Sequence, residues 1–171
     1  MSPDPSPCEG SRSDAVTFED LFVAERQRLY SAMWLIVRDS HEAEDIAQEA
    51  FVKVWERWER QGPPNDPVAY VFVTAMNVMR NRRRRAAVAL RKLVTRPEAP
   101  DELAAIEVRD VVVRALGTLT SSQRAALVLV DLLDLTSQEA AKALGTRPST
   151  VRVLAARGRA SLSTQIGESN D

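Results

Sequence analysis

One cysteine and one histidine are all that this 171-residue chain offers of the side chains most used for disulfides, metal binding and nucleophilic catalysis. Cys8 has no second cysteine to pair with, and its only basic neighbour is Arg12, so it reads as an inert thiol rather than a redox sensor. His41 lies near Glu42, Asp45 and Glu49, but a zinc site of that composition lacks a second His or any Cys. No apolar run approaches the ~20 residues needed to cross a bilayer. The first residues, MSPDPSPCEGSRSD, lack the basic start and apolar core of a secretory signal. These absences lead us to expect a cytoplasmic protein that is not an enzyme and holds no metal or cofactor. What is present, 44% hydrophobic and 27% charged residues, is the mix of a soluble globular chain.

The formal net charge of −1 conceals a sorting of charge into blocks. Residues 1–79 carry 7 Lys/Arg against 14 Asp/Glu, whereas residues 80–96 carry 8 Lys/Arg and no acid. Residues 97–142 are acidic again, with 4 against 8, and residues 143–171 are basic, with 4 against 2. A basic stripe in a nearly neutral chain is the electrostatic footprint of a nucleic-acid contact, with a solvated face or basic arm as the plainer reading.

Apolar periodicity gives an all-α chain of two small helical domains, with no convincing period-2 run. Residues 1–16, rich in Pro, Ser and Asp, read as a disordered tail. Thr17 with Asp20 opens a helix to about Arg38, carried by Phe18, Leu21, Phe22, Leu29, Met33 and Ile36. A second, from Ser40 to about Arg60, bears Ala43, Ile46, Ala47, Ala50, Phe51, Val54, Trp55 and Trp58 on one stripe. Trp55, Trp58 and Trp34 are expected to be core residues. The opposite face carries Glu42, Asp45, Gln48, Glu49 and Lys53. Asp66-Pro67 starts a third helix, which runs through Met79 into Arg80-Asn-Arg-Arg-Arg-Arg85 and towards Val94. The expected organisation is a first unit over 17–96, an acidic linker over 97–103, a second unit over 104–166 and a short tail over 167–171. Helices in the second unit are expected near Asp101–Leu116, Ser121–Leu133, Ser137–Leu144 and Pro148–Ser163.

Thr136-Ser-Gln-Glu139 is a capping box, Gly145 a helix stop, and Pro148 the start of another helix. A short helix, a Gly-containing turn and a second helix is the helix-turn-helix plan, although a plain helical hairpin has the same outline. In that plan the start of the second helix meets base edges in the major groove. Ser149, Thr150, Arg152, Arg157 and Arg159 stand on it, and no acid occurs from Ala143 to Leu162.

Phe22, Leu29 and Tyr30, then Ala43-Glu-Asp-Ile-Ala-Gln-Glu-Ala-Phe51, then Asn77 with the arginine run, resemble the promoter-melting domain of bacterial extracytoplasmic-function sigma factors. Leu119-Thr-Ser-Ser-Gln-Arg124, Ala140, Leu144-Gly145, Thr150-Val-Arg152 and Arg157 resemble the second conserved domain of that family. The resemblance covers about 18–96 and 104–164, in the family's order. It implies a subunit that binds RNA polymerase core, recognises −10 and −35 promoter elements and promotes melting. Asp45, Gln48 and Glu49 match positions that dock on the clamp of the largest subunit; the polymerase flap is a further implied contact. The loop at about 61–66, Asn77, Arg80, Arg82, Arg83, Arg84 and Arg85 match the surface for the melted −10 non-template strand. Ser149, Thr150, Arg152, Arg157 and Arg159 fall on the helix that reads the −35 duplex. Val153, Leu154, Ala155 and Ala156 depart from the family's pattern there, and Tyr70-Val71 stands where Trp-Leu is common. An anti-sigma factor is a further partner of the kind the resemblance admits. The competing reading is a stand-alone helix-turn-helix regulator, which needs neither an acidic docking helix nor an arginine-rich melting helix.

Overall fold

The computed structural model describes residues 16–90 and 107–168. The expected tail up to residue 15, the linker over 97–103, the third helix beyond residue 90 and the start of a helix at residue 101 lie outside the described residues. Among those described, seven α-helices and no strand occur: α1 (Phe18–Val37), α2 (Ser40–Gln61), α3 (Pro67–Leu90), α4 (Glu107–Thr118), α5 (Ser121–Leu127), α6 (Ser137–Leu144) and α7 (Pro148–Glu168). The all-α architecture is as expected.

Local side-chain chemistry sets the boundaries. The Thr17 hydroxyl accepts from the Asp20 N–H while the Asp20 carboxylate accepts from the Thr17 N–H, a reciprocal box that Thr120/Gln123 and Thr136/Glu139 repeat. Asp39 and Asp66 cap α2 and α3 by accepting from the N–H groups of Glu42 (2.8 Å) and Ala69 (2.9 Å). Gly145 closes α6 at φ 65°, a left-handed conformation that a residue without Cβ adopts at little cost. The helix expected over Ser121–Leu133 ends differently. Val128–Leu132 forms a π turn in which the Leu133 N–H donates to the Val128 carbonyl at 3.0 Å, and Asp134 follows at φ 54°. The last helix also runs on to Glu168, past its expected end.

Burial of large apolar side chains, worth roughly 1.5–3 kcal/mol each, holds the helices together. Leu29, Met33, Ile36, Ile46, Val54, Val71, Phe72 and Met76 are buried among α1–α3, and Leu127, Leu129, Ala140, Val151 and Ala155 among α5–α7. The two sets join in one cluster, because α3 packs against α6 and α1 against α5 and the π turn. Two arginines of the first unit span the seam. Arg28 lies over the Phe72 ring and donates to the Leu133 carbonyl at 3.4 Å. Arg38 donates to the Val113 carbonyl at 2.7 Å, beside Gly117, where a Cβ would lie 2.9 Å from its guanidinium.

The tryptophans divide. Trp34 and Trp58 pack against the core, but Trp55 is 49% exposed, contrary to expectation. The apolar stripe of α2 is wider than its neighbouring helices cover, so its edge residue Trp55 faces water.

Candidate polymerase and nucleic-acid interfaces

The acidic face of α2 is assembled by helical spacing alone: Asp45, Gln48 and Glu49 sit at i, i+3 and i+4. Asp45 and Gln48 are exposed and Glu49 partly so. Gln48 donates to Glu44 at 3.3 Å and Lys53 pairs with Glu49 at 3.6 Å. Arg82 reaches across from α3, with Nη1 3.1 Å from Asp45 and Nε and Nη2 at 3.1 and 3.0 Å from one Glu49 oxygen. Partial burial pulls its guanidinium down, but the bonds it donates to Asp45 and Glu49, with their negative charges, outweigh this and hold it above its ordinary value. A residue expected at DNA thus sits on the face expected at polymerase. Sequence reasoning had no means of pairing residues 37 positions apart.

Beside this face lies a groove that sequence reasoning missed, lined by Phe18, Phe22, Gln48, Phe51, Val52 and Trp55. Phe22 and Phe51 meet edge to face at 4.9 Å, yet Phe22 stays 40% exposed. Its only sequence signal was the width of the apolar stripes.

The basic end of α3 splits into two groups. Asn77 and Arg80 are half-buried, and Arg80 donates to the Asn77 side-chain oxygen. The Arg80 guanidinium lies over the helix-turn-helix turn, so a Cβ at Gly145 would fall 1.8 Å from its Nη1. Its Nε is buried without a partner among the described residues. Arg83, Arg84 and Arg85 project into solvent. The loop before α3 is mostly exposed; Arg57 braces it by donating to the Gly62 carbonyl at 2.8 Å while lying 5.0 Å from the centre of the Tyr70 ring.

In the helix-turn-helix, α6, the Gly145 turn and α7 follow as the capping signals imply. Ser149, Thr150, Arg152 and Arg157 are exposed. Arg159 is engaged instead with Asp131 of the π turn through two bonds of 2.9 and 2.6 Å, which raise its pKa above the ordinary value. On α5, which packs against α7, Arg124 is 7% exposed and donates to the Leu116 carbonyl at 3.2 Å. Burial pushes its pKa down, helped by the positive charges of Arg38 and Arg83. Among the described residues no three His, Cys, Asp or Glu side chains are grouped to hold a metal ion, and His41 is exposed. No helix described is long and apolar enough to cross a membrane.

Comparison with known proteins agrees with this arrangement. Residues 21–88 match the family described as Sigma-70 region 2, and residues 109–162 match Sigma-70, region 4. The ECF RNA polymerase sigma factor SigM of Mycobacterium tuberculosis is 28% identical over 165 residues, covering 92% of this chain and 81% of that protein. The sigma factor RpoE, solved in complex with the anti-sigma factor NepR from Bartonella quintana, shares the fold at a TM-score of 0.71 and 19% identity over 88% of this chain and 96% of that one. CnrH, solved with the cytosolic domain of CnrY, gives a TM-score of 0.61 at 25% identity, covering 88% of each chain. With two sigma-70 regions following one another on a helical frame that ends in a helix-turn-helix, the chain belongs to the sigma-70 family as an extracytoplasmic-function RNA polymerase sigma factor, serving promoter recognition and transcription initiation.

Proposed function

We propose that the two units, over 17–96 and 104–166, divide the work of initiation by the chemistry of their surfaces. Asp45, Gln48 and Glu49 dock on a basic element of the polymerase clamp. The observation that carries this reading is an exposed carboxylate–amide face on one side of α2, adjoined by an apolar groove that can hold the stems of partner side chains. Asn77, with Arg80 and Arg82–Arg85, holds the melted −10 non-template strand. An amide gives polar contact to an extruded base, and arginines give a cationic track for phosphates. Ser149, Thr150, Arg152, Arg157 and Arg159 approach the −35 duplex in the major groove. Bond making is left to the polymerase, so this chain needs no catalytic group, cofactor or metal, and it works in the cytoplasm. A protein of the kind solved with RpoE, an anti-sigma factor, is a partner this reading admits.

The test mixes the protein with core polymerase and promoter DNA. Promoter-specific transcripts are expected, and Asn77→Ala should impair a closed promoter more than one with a pre-opened bubble. Equal impairment on both templates favours a plain duplex-binding regulator.

A further inference from the structure

Between Ser149 in its first turn and Thr164 near its end, the outward crest of α7 carries no hydrogen-bonding side chain. A 3.6-residue period places Val151, Ala155 and Gly158 on one side of α7, and all three are buried. The same period places Ser149, Val153, Ala156 and Ala160 on the opposite side, where all four are exposed, Val153 at 49%. Arg152 and Arg159 flank this crest on one side, Thr150 and Arg157 on the other. An amphipathic helix should be most polar along the line farthest from the core, yet here that line is valine and alanine between cationic shoulders. Val153 is the sixth residue of α7, within the N-terminal part that meets base edges in helix-turn-helix complexes.

We infer that Val153, supported by Ala156, reads thymine methyl groups in the −35 duplex; this rests on the assignment of α7 to that element. The major-groove edges of guanine, adenine and cytosine present only donors and acceptors, which a valine or alanine cannot satisfy. Thymine adds a C5-methyl group, the apolar feature of the groove that such side chains recognise. The cationic shoulders suit the flanking phosphates or a neighbouring guanine, and they hold the crest against the bases between them. Specificity at this step is therefore a matter of methyl burial rather than hydrogen bonding.

The experiment uses holoenzyme and a promoter library randomised over the −35 duplex. Thymine should be retained, on either strand, at one or two positions. Each such thymine is then replaced by deoxyuridine, which removes only the methyl group. One replacement should weaken promoter binding about fourfold, the effect of withdrawing one buried methyl. Val153→Ser should bind the thymine and uracil promoters equally, and Val153→Thr, which keeps one methyl, should restore part of the difference. Val153 is exposed, so these variants should unfold at nearly the wild-type temperature, and the thymine-to-uracil ratio within each variant is independent of its overall stability. No retained thymine, a neutral effect of uracil at every position, or a Val153→Ser variant with the wild-type ratio overturns the inference. If Arg152→Ala still weakens binding in that case, only the methyl contact falls; if it too is neutral, the assignment of α7 to the −35 duplex falls with it. An apolar crest that instead contacts protein would show a Val153→Ser defect indifferent to the methyl group, which also overturns the inference.

Discussion

The basic end of α3 and the mouth of α7 look alike as sequence but differ as surfaces. On α3, Arg80 is folded over Gly145 with Asn77, and Arg82 is clasped by Asp45 and Glu49. On α7, Ser149, Thr150, Arg152 and Arg157 stand open. A run of arginines states how much charge a segment has, not how much of it is available. The mouth of α7 is open in this arrangement, whereas part of the basic end of α3 is engaged with the protein itself.

The largest effect should come from the acidic face that clasps Arg82. Reversing Asp45 and Glu49 together to Arg sets like charges opposite both Arg82 and a basic partner. Core affinity should drop on the order of a hundredfold or more, because like-charge juxtaposition costs several kcal/mol. Co-elution with core polymerase at moderate salt measures it, and circular dichroism should show the helices intact. Retained co-elution would remove Asp45 and Glu49 from the docking site.

Next, Arg152→Ala on the open helix should weaken promoter binding by roughly 1–3 kcal/mol if its fork meets a guanine. Holoenzyme binding to a −35 duplex reads this directly. The seam should respond on a smaller scale. Arg28→Ala with Arg38→Ala removes two hydrogen bonds between the units, each worth about 1 kcal/mol. Energy transfer between dyes on α1 and α7 should report a wider separation, and a −10 non-template oligonucleotide should bind tighter, by up to about thirtyfold, as the competent fraction rises. An unchanged separation would mean that the apolar cluster alone holds the units together. Salt titration then separates charge from shape on α3: Arg83→Ala should flatten the slope for strand binding by ~0.7, and Asn77→Ala should leave it unchanged.

The smallest expected effect lies at the cap of α6. Hydrogen bonds from the Thr136 hydroxyl and backbone N–H hold the Glu139 carboxyl below its ordinary value. A folded-state pKa below the unfolded one means the box contributes fully above the ordinary carboxylate value. That contribution is lost as pH falls through the depressed one. Thr136→Ala should cost about 1 kcal/mol at neutral pH by urea unfolding. The gap between wild type and Glu139→Ala should close as the solution is made acidic.

The sequence by itself determined whatever is settled within one or two helical turns. Thr17 with Asp20 and Thr136 with Glu139 are three-residue relationships, and Asp66 stands directly before Pro67, so all three read directly as caps and formed as read. The acidic face of α2 and the order of α6, turn and α7 were legible for the same reason, since helical period fixes which side chains share a face. Only the tertiary structure decided what those faces meet. Asp45 finds Arg82 across 37 positions and Asp131 finds Arg159 across 28, while Arg80 finds Gly145 only because α3 packs against α6. The π turn that presents Asp131 and the exposure of Trp55 likewise depend on packing. Periodicity states that a stripe is apolar, but the width its neighbours cover decides which of its residues reach water.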